Sequence, residues 1–417
     1  MPSDLKVLFL TREYPPDIYG GAGVHVDYLS RELAKLMPVE VRTFGEQRIR
    51  AGNLAVRGFR SARVGAQDAP EKFVMALEAL RVSLGFVDRL INADVVHCHT
   101  WYAHFGGVLA KILYGIPLVV TAHSLEPLRP WKREQLGRGA DLSAWVERTA
   151  LEAADAVVAV SQEMRADILR LFAVPPERVH VIHNGIDTEE YRRATSRDRL
   201  DRYGIDPERP YVLFVGRISR QKGILHLLEA ALHLDPDAQL VLCASSPDSE
   251  EIAREVEVAV AKIQASRSGA IWIREMVDRP TAIELYSHAA VFCCPSIYEP
   301  FGIINLEAMA CGTPVVASAV GGIKEVVLHE ETGLLVPVVQ QAAAPFDPVE
   351  PARLSHDLAH ALNALLRDPT RRRAMGARGR RRAEEHFSWC VIAKRTVALY
   401  EALTGKGKPP SGAGGKQ

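Results

Sequence analysis

The stretch YVLFVGRISRQKGILHLLEAA, residues 211–231, joins a short apolar run to an apolar helical segment through a loop that contains glycine and several cations. Five apolar residues in succession, Tyr211 to Val215, are typical of a strand buried on both faces of a sheet. A helix is expected from Ile224, directly after Gly223. Strand, short connection and helix in this order are the repeating unit of an α/β fold, so the stretch predicts a parallel sheet covered by helices.

The same alternation runs through both halves of the chain, which predicts two doubly wound, Rossmann-like domains. In the first half, the apolar runs that predict strands are Val7 to Leu10, Val39 to Thr43, Val95 to Cys98, Leu118 to Thr121, Ala156 to Val160 and Val179 to Ile182. In the second half they are Tyr211 to Val215, Leu240 to Cys243, Ile271 to Ile273, Val291 to Cys294, Val315 to Ala317 and Leu334 to Val336.

Turn and helix-start signals place the domain boundaries. The turn sequence Asn184-Gly185-Ile186-Asp187 ends the first domain, assigned to residues 1–190, and a linker lies near residues 185–208. The second domain is assigned to residues 191–386. Ser388 is expected to begin a last helix within residues 387–404. The remaining residues, 405–417, are rich in glycine, proline, serine and lysine and are expected to be disordered.

Composition excludes several function classes. Lys plus Arg and Asp plus Glu both number 51 in 417 residues, so no net charge favours nucleic acid or an anionic membrane. Six cysteines in apolar contexts without a disulfide framework predict reduced, buried thiols. No signal peptide and no transmembrane-length run are found, so we expect a cytoplasmic protein without membrane insertion. The arginine-rich run at 371–382 predicts a solvated helical face, and the alternative is a surface for an acidic partner or a membrane. The oligomeric state is left open, with a homodimer as one option.

Ligands of open parallel sheets bind beyond the carboxyl ends of the strands, which gives priority to residues that follow strands. Arg217 and Lys222 follow the strand at 211–215 and flank the start of the next helix. A departing nucleoside diphosphate needs fixed positive charge where its negative charge grows, and these side chains supply it without a metal. We predict catalytic and donor-binding roles for both; the alternative is a solvated basic loop.

The segment SIYEPFGIINLE, residues 296–307, follows the strand Val291 to Cys294. A helix that begins near Gly302 offers the N–H groups of its first turn to a phosphate. Of the two glutamates in this segment, Glu299 and Glu307, one then faces a sugar and the other a ribose. The alternative is that Glu299 caps the helix and Glu307 pairs with a surface cation. The predicted donor contacts in this segment are Glu299, Phe301, Gly302, Ile303 and Glu307.

The loop after the first strand, TREYPPDIYGGAG at residues 11–23, opens a helix with glycines. Gly20, Gly21 and Gly23 are predicted to bring backbone N–H groups close to a donor phosphate; a flexible connector is the alternative. Asp17 and Tyr19 on the same loop are predicted to contact the acceptor.

Three short stretches with histidine or aspartate are candidate ligands of a sugar or a metal. His123 follows the strand at 118–121 and is predicted to hydrogen-bond a sugar hydroxyl, although a lone histidine is more often structural. In His97-Cys98-His99 the alternation along a strand points the cysteine away from the two histidines. Asp235-Pro236-Asp237 precedes a strand and is better explained as a turn. No metal site and no cofactor are predicted.

These segments together resemble the retaining glycosyltransferases of GT-B architecture, in the family that contains the bacterial glycogen synthases. Within it, LTREYPP at 10–16, HTWY at 99–102 and TAHSLEPLRPWK at 121–132 are most similar to the actinobacterial-type glycogen synthases, the maltose-1-phosphate synthases. The resemblance covers nearly the whole chain. It implies an N-terminal acceptor domain and a C-terminal nucleotide-sugar domain that face each other across a cleft. It also implies that the last helix packs on the N-terminal domain.

The resemblance further implies an activity. ADP-glucose is the implied donor and glucose 1-phosphate the acceptor, giving alpha-1,4-linked maltose 1-phosphate with retention, while longer alpha-glucans such as glycogen also serve as acceptors. It implies that Arg217 and Lys222 hold the diphosphate, Glu299 meets the glucose, Glu307 meets the ribose and His123 lies near the reacting carbon. For the acceptor phosphate we hypothesise three cations beside Trp131, namely Arg129, Lys132 and Arg133.

Other interpretations stay open at this point. A nucleotide-sugar epimerase shares the twin-domain architecture, and a noncatalytic sugar-binding protein has no need of cations at a leaving group. Another retaining transferase with a lipid or small-molecule acceptor shares the donor site. The cations and glutamates favour transfer, whereas the acceptor depends on the N-terminal domain.

Overall fold

The computed structural model describes residues 4–60 and 70–406, without the side chains of residues 134 and 135. Within the tail expected to be disordered, residues 407–417 lie outside the described residues. The chain divides into two compact units. The first contains residues up to Gly185 together with those from Trp389 onward, and the second runs from Ile186 to Ser388. The divisions lie a few residues from those expected at 190/191 and 386/387.

The first unit is built on one eight-stranded sheet. Its strands are β1 Val7–Leu10, β2 Val39–Phe44, β3 Arg48–Ala51, β4 Leu54–Phe59, β5 Val95–His99, β6 Leu118–Ala122, β7 Ala156–Ala159 and β8 Val179–Val181. The strand order is β3-β4-β2-β1-β5-β6-β7-β8, and only β3 and β4 pair antiparallel. Every residue of β1, β5, β6 and β7 is buried, as expected for strands covered on both faces.

The β3–β4 hairpin is not among the strands that the sequence predicted. All four residues of β3 are exposed, so the apolar run that identifies a buried strand is missing. Gly52 has φ +57° at the turn between the two strands, a conformation that glycine adopts readily. A short, charged strand at the edge of a sheet also discourages pairing with other chains.

Helices complete the first unit. They are α1 Gly21–Ala34, α2 Glu71–Val87, α3 Trp101–Tyr114, α4 Lys132–Leu136, α5 Gly139–Ala153, α6 Gln162–Leu171 and, from the end of the chain, α14 Trp389–Thr404. The Trp389 ring stacks on Tyr28 of α1 with centroids 5.8 Å apart. The Tyr400 hydroxyl lies 2.6 Å from Nδ1 of His97 in β5. The last helix is therefore part of the core of the first unit.

The second unit contains one six-stranded, fully parallel sheet. Its strands are β9 Tyr211–Arg217, β10 Gln239–Ser245, β11 Ala270–Ile273, β12 Val291–Cys294, β13 Val315–Ser318 and β14 Gly333–Val336. In the order β11-β10-β9-β12-β13-β14, successive strands are added on one side of β9 up to β11 and on its other side from β12 onward, so the strand order reverses between β9 and β12. Ligands of such sheets bind at the point of reversal, where the loops after β9 and β12 lie side by side.

The helices of the second unit follow its strands. They are α7 Ile224–Ala231, α8 Glu250–Ser266, α9 Arg279–His288, α10 Ile303–Ala310, α11 Ile323–Val326, α12 Pro351–Leu366 and α13 Pro369–Phe387. Buried residues of α7, α8 and α12 pack with strands β9, β10 and β12 in one apolar cluster. This packing fixes the two loops at the point of reversal on a rigid base.

The arginine-rich run on α13 is only in part the solvated face that the sequence predicted, since Arg373 and Arg381 are exposed whereas Arg380 and Arg382 bind internal carbonyls. Arg380 donates to the backbone oxygens of Thr188, Tyr191 and Ala310. Arg382 donates to the backbone oxygens of Glu325 and Val326. Ala310 and Val326 are the last residues of α10 and α11, whose terminal carbonyls lack partners within their own helices. These arginines therefore satisfy carbonyls of other elements in the same unit.

The cysteines are all free, and one corrects the expectation of burial. Cys98, Cys243, Cys293, Cys294 and Cys311 are buried, whereas Cys390 on α14 is exposed because it lies on the outer face of that helix. Among residues 4–60 and 70–406, no helix combines the length and the apolar composition that crossing a bilayer requires.

Candidate active site

The loop after β9 carries the two predicted cations. Arg217 is the last residue of β9, and Lys222 is the last residue of a short helical turn. Ser219 caps this turn, because its hydroxyl oxygen accepts from the Lys222 backbone N–H. Gly223 follows with φ +64°, and a Cβ atom there would lie 1.9 Å from the Pro295 carbonyl oxygen. Only glycine permits this close approach, which brings the loop after β9 against the loop after β12.

Lys222 and Glu299 form the central contact of this region. Lys222 Nζ lies 2.5 Å from Glu299 Oε2, and the side chains are only 17% and 9% exposed. Ser296 Oγ donates to the same carboxylate oxygen at 3.3 Å. Burial alone would lower the pKa of Lys222, but the carboxylate of Glu299 raises it above its ordinary value. Lys222 is therefore a permanent positive charge in a region of restricted solvent.

The Arg217 side chain is fixed by a carboxylate from the loop after β10. Its guanidinium NH1 donates to Asp248 Oδ1 at 2.5 Å, and both side chains are partly exposed. Asp248 lies just before α8, beyond the end of β10. A guanidinium group has five N–H donors, so a carboxylate that accepts from one of them leaves others that can bind a phosphate. The second unit thus presents two fixed cations beyond the end of β9.

Two glycines after β13 hold the backbone of Glu299. The Gly322 N–H donates to the Glu299 carbonyl oxygen at 3.0 Å. Gly321 has φ +52°, and a Cβ atom there would lie 1.9 Å from that oxygen. The position of the glutamate therefore depends on a residue without a side chain 22 positions further along the sequence.

We expect Gly321→Ala to lower both the free energy of unfolding, by about 2 kcal/mol or more, and the turnover, because the new methyl group displaces Glu299. Gly312→Ala is the matched control, since Gly312 also has a positive φ of +78° but has no atom within 4 Å of an added Cβ. It should cost about 1 kcal/mol without loss of kcat. Urea unfolding and steady-state kinetics measure both, and equal kcat values for the two variants would contradict the positioning role.

Glu307 lies on α10 and is bound by two tyrosines. Tyr286 Oη donates to Glu307 Oε2 at 2.8 Å, and Tyr191 Oη donates to Oε1 at 3.2 Å. Burial raises the pKa of Glu307 above its ordinary value, although the two hydroxyls oppose that rise. The carboxylate is thus held in one orientation, and each oxygen still has a second lone pair for a ligand hydroxyl.

The predicted neighbours of the glutamates occupy the helix start. Gly302 precedes α10 with φ +94°, and Ile303 is the first residue of the helix. Phe301 is buried and lies against the Phe387 ring, with centroids 6.0 Å apart. Gly302 and Ile303 therefore mark the start of an α-helix, where N–H groups suit an anion, while Phe301 anchors the preceding loop.

In the first unit, a glutamate organises the glycine loop. The backbone N–H groups of Tyr19 and Gly20 both donate to Glu13 Oε2 at 2.9 Å. A Cβ atom on Gly23 would lie 2.8 Å from both Cβ and Oε2 of Glu13. Gly20 thus already donates to an internal carboxylate, whereas Gly21 opens α1. Binding of a donor phosphate by Gly20, Gly21 and Gly23 stays a prediction.

The residues predicted to bind the acceptor differ in their surroundings. Tyr19 is 70% exposed, and Asp17 accepts from Gln47 Nε2 at 3.1 Å. Arg129 donates to Ser124 Oγ at 3.1 Å and lies 3.5 Å from Glu126. Two further cations lie on α4. Lys132 is its first residue, and Arg133 forms an exposed ion pair with Asp141.

His123 follows β6 and belongs to a group of three histidines. Its Nε2 lies 3.1 Å from Nδ1 of His99, the last residue of β5, and its ring lies against that of His25 on α1. His25 Nδ1 donates to Asn184 Oδ1 at 2.8 Å. Burial lowers the pKa of His25 to about 4 and that of His123 well below the ordinary value, so these rings are neutral at physiological pH.

Several residues of the site were missed by sequence reasoning. They are Glu13, Asp248, Tyr191, Tyr286 and the glycine pair Gly321 and Gly322. The glycine pair carries a local signal, since two successive glycines after a predicted strand indicate a close backbone approach. Glu13 and Asp248 follow the predicted strands Val7 to Leu10 and Leu240 to Cys243, so their position after a strand is also a signal. Tyr191 and Tyr286 act through Glu307, which is distant in sequence.

Comparison with known proteins agrees with this geometry. Residues 19–190 match the family described as Glycosyltransferase Family 4, and residues 196–345 match Glycosyl transferases group 1. The alpha-maltose-1-phosphate synthase of Mycolicibacterium smegmatis is 48% identical to this chain, over 96% of the chain and all of the relative.

Solved structures show the same fold. Sucrose-phosphate synthase from Thermosynechococcus elongatus superposes with a TM-score of 0.74 at 26% identity, covering 96% of this chain and 99% of that one. The catalytic domain of Starch Synthase IV from Arabidopsis thaliana, bound to ADP and acarbose, gives 0.72 at 20% identity, covering 97% and 100%. The predicted α/β class with two parallel-sheet units is confirmed. The chain belongs to the glycosyltransferase family that contains the alpha-maltose-1-phosphate synthases.

Proposed function

We propose that the protein is a retaining alpha-1,4-glucosyltransferase that moves glucose from ADP-glucose to glucose 1-phosphate and so makes maltose 1-phosphate. The observation that carries the transferase chemistry is the buried Lys222–Glu299 pair at the strand-order reversal of the second unit. The name of the Mycolicibacterium relative supports the product. Alpha-glucan chains such as glycogen are proposed as further acceptors.

For the donor, we propose that Arg217 and Lys222 bind the diphosphate, together with N–H groups at the start of α10. As the bond between glucose C1 and the diphosphate oxygen breaks, negative charge grows on that oxygen, and fixed cations stabilise it. Glu299 contacts the transferred glucose, and Glu307, oriented by its two tyrosines, accepts from the ribose hydroxyls. The charge that a metal would supply comes from side chains, so the proposed transfer uses no metal or other cofactor.

Retention follows when the acceptor attacks from the face that the diphosphate leaves. The acceptor hydroxyl forms the new bond to C1, and its proton passes to the departing phosphate oxygen. No side chain is needed as nucleophile in this scheme, and charge stabilisation supplies the main rate enhancement. His123 is proposed to contact the glucose near C1.

For the acceptor, we propose that the phosphate of glucose 1-phosphate meets the cations Arg129, Lys132 and Arg133, with Asp17 and Tyr19 toward the sugar. Arg129 is already oriented by Ser124 and Glu126. The reaction is proposed to take place in the cytoplasm, since all six cysteines are free, as is usual in reducing compartments. A homodimer is one possible assembly for this enzyme.

The test is an assay of product mass. ADP-, UDP- and GDP-glucose are each incubated with glucose 1-phosphate, with glycogen or without acceptor, and the Lys222→Met variant serves as the inactive control. We expect the highest rate with ADP-glucose as donor and glucose 1-phosphate as acceptor. The product of this pair should be a disaccharide phosphate, and NMR should show an alpha-1,4 linkage. Conversion of the sugar nucleotide without acceptor into a stereoisomer, which has the same mass and is detected by NMR, would indicate an epimerase. No transfer to either acceptor would overturn the proposal.

A further inference from the structure

Three histidines of the first unit surround one point. One ligating nitrogen from each of His25, His99 and His123 lies within 4.8 Å of those of the other two. Their ring centroids are 4.8, 5.3 and 5.4 Å apart. Three imidazoles on one tetrahedral zinc ion, with Zn–N bonds of about 2.1 Å, have centroids about 5.2 Å apart. The spacing of the rings thus matches that of a three-histidine metal site.

The group is also prepared chemically for a metal. His25 donates its Nδ1 proton to Asn184 Oδ1, which leaves a lone pair on Nε2, and that buried atom has no hydrogen-bond partner among the described residues. Metal-binding histidines usually donate their other N–H to an oxygen in this way. His25 is 2% exposed, so the arrangement is built into the core rather than formed by mobile surface groups.

The other two rings already form a pair with nearly the spacing of zinc ligands. His99 Nδ1 and His123 Nε2 lie 3.1 Å apart, close to the separation of about 3.4 Å between two nitrogens on a tetrahedral zinc ion. The proton now between them moves to the second nitrogen of its own ring, so each of the three rings offers one lone pair and no net proton is released. His123 is partly exposed, which gives an ion access from solvent.

We infer that His25, His99 and His123 bind a divalent transition-metal ion such as Zn²⁺, and that this ion inhibits the enzyme. Imidazole ligands suit zinc, cobalt and nickel rather than magnesium or calcium. The inhibition rests on the proposed role of His123, because a ring bound to a metal is no longer available to the sugar. Metal binding itself is independent of the proposed function.

The test uses Co²⁺ without substrates. Tetrahedral Co²⁺ absorbs visible light much more strongly than octahedral Co²⁺, so we expect one such ion per chain, displaced by Zn²⁺. His25→Gln and His99→Gln should each weaken binding at least about tenfold, and Asn184→Ala, which keeps all three rings, by about 10- to 100-fold. Circular dichroism and thermal melting show whether each variant is folded.

Controls separate this site from general binding. His104→Gln changes another buried histidine of the same unit that is not part of the group, and it should keep the affinity for Co²⁺. In activity assays, Zn²⁺ should inhibit the parent and His104→Gln proteins at similar concentrations. A spectrum of octahedral Co²⁺ only, or Co²⁺ affinity unchanged in His25→Gln and Asn184→Ala, would overturn the inference. Binding without inhibition would remove the role of the site in the reaction but leave the site.

Discussion

Replacing Lys222 by methionine is expected to lower kcat for glucosyl transfer about 100- to 1000-fold, the usual cost of losing one fixed group that stabilises transition-state charge. Methionine keeps much of the length of the side chain but removes the charge that the departing diphosphate requires. Because this charge matters most when the bond to C1 breaks, kcat and kcat/KM should fall together. Single-turnover measurements with saturating ADP-glucose check the chemical step directly.

The loss of Lys222 also leaves Glu299 without its partner at 2.5 Å, so stability has to be measured beside activity. Lys262→Met is the matched control, since Lys262 lies on α8 and forms only a long, exposed ion pair with Glu229. It should retain kcat and melt within a few degrees of the parent. A fall in kcat of less than about tenfold in folded Lys222→Met protein would show that the charge is not used in the reaction.

Glu299→Gln and Glu307→Gln should have different effects. We expect the first to lower kcat about 100-fold with little change in the donor KM, since it alters the proposed contact with the transferred glucose, which would strengthen in the transition state. We expect the second to raise the donor KM about tenfold with kcat nearly unchanged, since a ribose contact is equally strong before and during reaction.

The tyrosines provide a graded check of this division. Tyr286→Phe removes one of the two hydroxyls that orient Glu307, and it should raise the donor KM less than Glu307→Gln does. Combining Glu299→Gln with Lys222→Met should cost little more than Lys222→Met alone, because paired groups that act together are not additive. Equal changes in kcat and KM for both glutamate variants would refute the separate roles.

The sequence predicted most of the sheet strands because the buried ones are continuous apolar runs. Val291–Cys294, for example, is a strand with the predicted bounds and has all four residues buried. The hairpin at Arg48–Ala51 and Leu54–Phe59 was not predicted, because its first strand is exposed to solvent and has no apolar run. An exposed edge strand is stabilised by pairing with its neighbour, and its own composition does not show that pairing.

The site was predictable only where residues follow strands directly. That rule selects Arg217, and it selects Glu299 on the loop after β12. It does not select Tyr191, which donates to Glu307 from 116 positions away. It does select Asp248, which lies beyond β10, but no sequence pattern links Asp248 to Arg217, which it binds from 31 positions away. Such partners are set by tertiary packing, and no spacing in the sequence encodes them.

For Arg380 and Arg382 of α13, the sequence predicted exposure to solvent, whereas the structure shows hydrogen bonds to internal carbonyls. A run with several arginines and few apolar residues is usually a solvated face, and the sequence offers no sign of the carbonyl groups that Arg380 and Arg382 meet. Those carbonyls belong to helix ends and loops that come together only in the folded unit. Charge patterning alone therefore could not separate a surface patch from internal hydrogen bonding.

The discontinuous first unit has a consequence for biosynthesis. Its core includes Trp389 and Tyr400, and the partner of Tyr400 in β5 is 303 positions earlier in the chain. At about 5–20 residues per second, a ribosome needs roughly 10 to 40 s to make the intervening unit of about 200 residues. During that time α1 lacks the helix that covers it, so the second unit can finish folding before the first. A nascent chain stalled before residue 389 would thus be a client for chaperones.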